Sequence, residues 1–285
     1  VADMVFNGLV RYKPGDITEF EPDLATDWRP SDDNLTWTFT LRDDVSCHPW
    51  NGNEGYLLTA EDVVYSLERS ANPDTSAYAS EYEDMEFVAI DDHTVEIRLA
   101  QPISESLMLP KVADYAGGFI VCAQAAEELG PGGFATNPVG TGAFMFDSYT
   151  PQQQVDLVAN PDYFRGEPQL AGVTVRYIAN LAAREAGLQT GELDVIEGVS
   201  EQPWVEKMQG QSGVELALFG PGEATVLYFD TSREPMSSHE VRQAVAFCLD
   251  RSELQAVIGE DVATPLYSIV PPLVPGGMTE EEVRA

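Results

Sequence analysis

The sequence predicts an α/β chain with a satellite module around residues 26–136, and three observations carry the prediction. Leu35-Thr-Trp-Thr-Phe-Thr-Leu41 alternates apolar and polar residues without a break and is rich in β-formers, the pattern of a half-buried strand. Thr59-Ala-Glu-Asp then opens a run with Val63, Val64 and Leu67 at helical spacing. Further along, strand, helix and strand patterns follow one another at 173–178, 182–190 and 193–196. That order argues for a βαβ crossover and a mixed or parallel sheet.

Each element has a local reason. Thr59 suits an N-cap, and the acids after it suit the positive end of a helix dipole. Asp91-Asp-His93 turns the chain into a second alternating strand in which Val95, Ile97 and Leu99 share a face. A helix over 123–130 ends at Gly130, and Pro131-Gly-Gly133 breaks the chain after it. Strand patterns recur at 142–149 and 154–159, and another at 226–229. The helix at 182–190 ends at Gly191. Ser237-Ser-His-Glu240 reads as a capping box opening a helix that runs to about Leu249.

Composition narrows the function. With 285 residues and 44% hydrophobic content, the chain can bury one large core or two ordinary ones. It holds no apolar run long enough to span a bilayer. It opens on Val-Ala-Asp-Met-Val-Phe, patterned like an internal element rather than a signal segment, so Val1 reads as an interior cut through a longer chain. The formal charge of −33 argues against nucleic acid, whose phosphates need basic patches. Lys13, Lys111 and Lys207 are the only lysines. The acids are spread along the whole chain, which favours a solvated coat suited to high salt over a dedicated site for cations.

Catalytic constellations are hard to find. Cys47, Cys122 and Cys248 show no metal-ligand spacing; one disulfide or free thiols are equally open. His93 and His239 read as surface residues. His48 adjoins Cys47, but neighbouring side chains on an extended segment point to opposite faces, which weakens a Cys/His dyad. Gly140-Thr-Gly142 lacks the third glycine and the lysine of a phosphate loop and reads as a tight backbone turn. Glu280, Glu281 and Glu282 read as a solvated helix start rather than a metal site. The reading is a binder, not an enzyme, with no metal and no cofactor.

Several segments, in order, resemble the extracytoplasmic solute-binding proteins of the peptide/nickel ABC-transporter class (bacterial extracellular solute-binding protein family 5). They are Phe6-Asn-Gly-Leu-Val10 with Glu21-Pro-Asp-Leu-Ala-Thr-Asp-Trp28, Trp37-Thr-Phe-Thr-Leu-Arg42 leading through His48 to Thr59-Ala-Glu-Asp-Val63, and Asn137-Pro-Val-Gly-Thr-Gly-Ala-Phe144. Asn160-Pro-Asp-Tyr-Phe-Arg-Gly166, Gly191-Glu-Leu-Asp194 and Val241-Arg-Gln-Ala-Val-Ala246 complete the series. Physically these are turns, caps and strand starts. Trp28, Trp37 and Phe39 read as core anchors, and Arg242 as a partner for carboxylates or helix ends. The segment Cys47-His-Pro-Trp-Asn-Gly-Asn-Glu-Gly55 is longer than the corresponding turn of the family.

The resemblance implies a periplasmic-binding-protein-like fold (class II, two-lobed) with an extra α+β subdomain and the second lobe largely missing. Residues 1–25 would begin the first lobe, 26–136 form the extra subdomain, 137–232 the α/β core of the first lobe and 233–285 the start of the second. It further implies the substrate-binding component of an ABC importer, periplasmic or extracytoplasmic with lipid anchoring to the cell surface as an option, that takes a small solute, an oligopeptide or dipeptide, and hands it to a membrane permease as a monomer. Nickel complexes, opines and oligosaccharides are alternative ligands, and a sensor module of a regulator an alternative role. Asp74-Thr-Ser-Ala-Tyr-Ala-Ser-Glu-Tyr82 is similar to a stretch where peptide binders place a tyrosine at the cleft, which nominates Tyr78 and then Tyr82. The expected end of a βαβ strand nominates the loop with Gly198, Val199, Ser200 and Glu201. Phe219 and Gly220 are a further pair of candidates.

Overall fold

The structure is a computed structural model and describes residues 1–218, 224–272, 274 and 276–285. It divides into two compact units, Val1–Ile178 and Ala179–Ala285.

In the first unit, helix α1 (Ala2–Val5) leads into a two-stranded ribbon of β1 (Val10–Tyr12) and β2 (Phe20–Pro22). Strands β3 (Ala25–Pro30) and β4 (Thr36–Leu41) follow, then helix α2 (Ala60–Ala71), β5 (Met85–Asp91) and β6 (Thr94–Leu99). The four strands form an antiparallel sheet in the order β3-β4-β6-β5. The alternation on β4 is what makes it a strand: Trp37, Phe39 and Leu41 are buried while Thr40 is exposed. Phe39 stands opposite Trp28 on one side and Val95 on the other. Trp28 itself is only partly buried, because its Nε1 reaches outward to Glu105 at 2.9 Å. It packs on the core rather than anchoring it.

Asp62 explains why Thr59-Ala-Glu-Asp matters. Its buried carboxylate accepts the Thr59 N–H at 3.0 Å at the start of α2. The same group accepts the Tyr56 hydroxyl and, at 2.9 Å, the Ala123 N–H. After the short helix α3 (Glu105–Met108), Ala123 begins α4 (Ala123–Thr136), so one carboxylate caps two helices. The expected stop at Gly130 is a kink (φ 65°), and the helix resumes beyond it. Pro131 lacks only an N–H that a first helical turn leaves unpaired, and buried Phe134 rewards the continuation.

Strands β7 (Phe144–Thr150), β8 (Gln154–Ala159) and β9 (Gly172–Arg176) close the unit as an antiparallel sheet. The main core runs without a gap from Leu9 to Val139, with a smaller cluster of Val5, Val155 and Leu157 beneath β7–β9. Gly140 and Gly142 pass against α1; a Cβ on either would lie 2.1 Å from the Val5 carbonyl oxygen or 2.3 Å from that of Met4. The close-approach reading of this turn holds.

The second unit is helical among its described residues. Helix α5 (Leu181–Thr190) is capped by Asn180, whose side chain accepts the Ala183 N–H, and ends at left-handed Gly191 (φ 73°). The anticipated strand at 193–196 does not form. No segment among the described residues pairs with it, and Val195 is 87% exposed. Among the described residues the βαβ crossover is therefore absent and every sheet is antiparallel. Residues 226–229 likewise form no strand, and Val226, Leu227 and Tyr228 are exposed. Helix α6 (Gln202–Gln209) precedes α7 (His239–Cys248). The cap of α7 is Ser238, one residue later than the capping-box reading, with its Oγ accepting the Val241 N–H. Asp250 caps α8 (Arg251–Ile258), and Thr279 with Glu282 caps α9 (Glu280–Arg284), matching the helix-start reading of the glutamates.

Candidate functional site

The Cys47/His48 pair is structural. Cys47 is bonded to Cys122, both buried, while Cys248 is free and exposed. The Cys47 sulfur is thus not available as a nucleophile. His48 Nε2 meets the Gly142 carbonyl at 2.9 Å, and its Nδ1 is buried without a partner. Burial lowers its pKa to about 4, against the opposing pull of the Gly142 hydrogen bond. The long segment at 47–55 is pinned by Trp50 and Asn53, which both donate to Glu128 on α4.

Tyr82 belongs to the core rather than to a ligand surface. It is 3% exposed, its hydroxyl donates to the Lys111 carbonyl at 2.7 Å, and its ring lies against Gly117 and edge-on to Phe87. Burial and then nearby Glu81 raise its pKa, so the hydroxyl stays a donor. Tyr78 is exposed, at the head of the short 3-10 turn over Ala79–Tyr82.

What Tyr82 supports is the loop 111–118. Ser70 donates to the Gly117 carbonyl at 2.7 Å, and Asp114 N–H donates to the Val10 carbonyl at 3.1 Å. Held from below, this loop displays Tyr115, 67% exposed, beside Asp114. Ala116 adopts φ 52°, an unfavourable conformation for a residue with a Cβ that the surrounding anchors impose. Asp114 accepts the Tyr12 N–H at 3.1 Å, and the Tyr12 ring lies against Phe20, centroids 4.5 Å apart and tilted by 39°. The Asp114 carboxyl is pushed up by its own burial first, with Asp23 and Asp3 adding to the rise and the Tyr12 N–H opposing it. Burial and then Asp114 raise the Tyr12 pKa. No ion pair engages Asp114 among the described residues. The result is an aromatic surface around a half-buried carboxylate, which suits a ligand with a cationic group and apolar parts. Sequence reading passed over Asp114 and Tyr115. The available signal was a tyrosine beside Ala-Gly-Gly, a bulky residue in a segment otherwise built for close backbone packing.

In the second unit, the loop with Gly198, Val199, Ser200 and Glu201 leads into α6, with Glu201 as its N-cap. Gly198 lies under Trp204, where a Cβ would come within 2.0 Å of the indole. Trp204 in turn donates to Glu185 at 2.7 Å, and Arg184 donates to the Glu197 carbonyl at 3.0 Å. The loop is therefore bound to α5 and α6, not at a strand end, while Ser200 and Glu201 are exposed. Phe219 and Gly220 lie outside the described residues.

The sequence and fold have counterparts in known proteins. The family described as bacterial extracellular solute-binding proteins, family 5 Middle, matches residues 19–284. The chain belongs to this family. Among its relatives, the probable D,D-dipeptide-binding periplasmic protein DdpA of Escherichia coli (strain K12) is 31% identical over 251 residues, which covers 86% of this chain and 47% of that protein. The solved structure of MoaA from A. tumefaciens R10, in complex with mannopinic acid, superposes with a TM-score of 0.82 at 33% identity. That alignment covers 95% of this chain and 54% of MoaA. DppA of Helicobacter pylori, in complex with the peptide STSA, gives a TM-score of 0.75 at 26% identity over 94% of this chain and 55% of that one. The chain thus spans about half the length of the relatives it matches. Family 5 members are substrate-binding proteins, and the fold of this chain is theirs.

Proposed function

We propose that the protein captures a small solute bearing a protonated amine, a dipeptide or oligopeptide, and delivers it to an ABC permease outside the cytoplasm. The observation that carries this reading is the anchored 111–118 loop, which presents Tyr115 beside Asp114 on a chain whose family binds solutes. A carboxylate that no cation engages among the described residues favours an ammonium, and the flat ring tolerates varied side chains. Tyr78 and the exposed part of the 198–201 loop are further candidate contacts. The buried Cys47–Cys122 disulfide supports an oxidising, extracytoplasmic setting. Capture proceeds by closure of two lobes of a monomer, the ligand stabilising the closed state by its greater affinity for it. Residues 1–25, 26–136 and 137–232 contribute to the first lobe, and 233–285 to the second.

The mannopinic acid in MoaA favours a second reading, an opine ligand. Thermal unfolding of the protein, expressed at the full length of its reading frame, separates the two. A dipeptide at a hundredfold its Kd stabilises by about 2.7 kcal/mol. We expect a free dipeptide to raise the midpoint, its N-acetylated form to do little, and Asp114→Asn to remove the difference. A shift with an opine alone replaces the peptide reading. No shift with any peptide, opine, nickel complex or oligosaccharide overturns solute capture.

A further inference from the structure

Asn34-Leu-Thr36 is the one Asn-X-Ser/Thr sequence in the chain with X other than proline. It lies at the tip of the β3–β4 hairpin, beyond the last paired residues, Pro30 and Trp37. We propose that Asn34 is an N-glycosylation site, a role that rests on the extracytoplasmic placement argued above.

The geometry leaves both reactive parts of the sequence available. Asn34 is exposed and in the left-handed region (φ 54°), where asparagine is among the better-tolerated residues. The turn is built by its neighbours: Asp33 accepts the Leu35 N–H at 3.1 Å and the Ser31 hydroxyl at 2.6 Å, and the Ser31 N–H donates to the Thr36 carbonyl at 2.7 Å. The Asn34 backbone N–H donates to the Ser31 carbonyl at 2.9 Å, and among the described residues no other group engages the Asn34 side-chain amide or the Thr36 hydroxyl. Other asparagines are at work in the fold: Asn7 on Asp23, Asn53 on Glu128, Asn160 on Gly142 and Asn180 at the α5 cap. The Asn34 side chain has no such structural task. A bulky hydrophilic glycan there extends into solvent and displaces no contact of the sheet.

The chemistry is a redox-neutral group transfer from a lipid-linked oligosaccharide phosphate or diphosphate. The Asn34 Nδ2 forms a bond to the anomeric carbon of the first sugar. The bond from that carbon to the phosphate oxygen breaks, and the lipid phosphate leaves with the electron pair. The proton lost from the amide passes to the leaving phosphate or to solvent. The Thr36 hydroxyl, two residues on, supplies the polar handle by which a transferase holds the acceptor.

The test is intact mass and glycopeptide sequencing of the full-length protein purified from the cells that naturally make it, with its disulfide state read by alkylation. We expect a mass gain carried on Asn34, kept in Thr36→Ser and lost in both Thr36→Ala and Asn34→Gln. Formation of the Cys47–Cys122 disulfide in each variant reports that it has folded and been exported. Disulfide-bonded protein with an unmodified Asn34 overturns the glycosylation site and leaves the extracytoplasmic reading standing. A protein with neither disulfide nor glycan overturns both. A mass gain that survives Asn34→Gln also overturns the assignment.

Discussion

The two units differ in how they satisfy their own apolar residues. In Val1–Ile178, strands fold back on neighbours close in sequence, and a cluster from Leu9 to Val139 is sealed from solvent. In Ala179–Ala285, only Val205 and Met208 among the described apolar residues are buried, while Phe247 and Val257 are 89% and 86% exposed. Four of its helices begin at a side-chain cap, Asn180, Ser238, Asp250 or Thr279. The lesson is that a cap can be met locally, whereas an apolar face needs a surface to cover it.

The sharpest way to break this contrast is to remove one ring from each unit. Phe39→Ala in the first unit should cost about 4 kcal/mol in urea unfolding. An effect below about 1 kcal/mol would show that the sheet core is loose. Next in size is the cross-link. Replacing Cys47 and Cys122 by serine removes a link between residues 75 apart in sequence, with an expected loss of about 4 kcal/mol in the same measurement. The change should fall on the first unit, and hydrogen exchange would show whether the second is affected.

A third prediction is pH-dependent. Buried His48 is harder to protonate folded than unfolded, so its neutral state stabilises the fold above about pH 6.5. As the pH falls towards about 4, the unfolded chain takes up a proton that the native imidazole refuses, and up to about 3 kcal/mol is lost. His48→Gln should flatten that part of the stability profile; an unchanged slope would remove His48 as its cause. The smallest effect belongs to the second unit: Phe247→Ala should stay within about 0.5 kcal/mol of the parent. A loss comparable to that of Phe39→Ala would mean that the ring is covered in the intact protein.

Where short-range pattern and long-range packing agree, the sequence was readable. The alternation at 36–41, the turn at Asp91-Asp-His93 and the glycine stop at 191 all describe contacts made within a few residues or one hairpin. Leu193-Asp-Val-Ile196 has the same alternating look, but its pairing partner would have to come from elsewhere, and the pattern cannot reveal that none is present among the described residues. The candidate site divides in the same way. Tyr82 was visible as a tyrosine in a suggestive segment, yet its burial follows from Lys111 and Gly117, some thirty residues away. Asp114 and Tyr115 were passed over because only the folded chain brings Tyr12 and Val10 beneath them.

Asp62 and the disulfide join the same two stretches of chain. Cys122 is the residue just before Ala123, so forming the sulfur bridge also brings the Ala123 N–H to the Asp62 carboxylate. The entropy of closing that long loop is paid once for both contacts. In the folded chain the bridge therefore holds the first residue of α4 beside the first turn of α2, where Asp62 meets it.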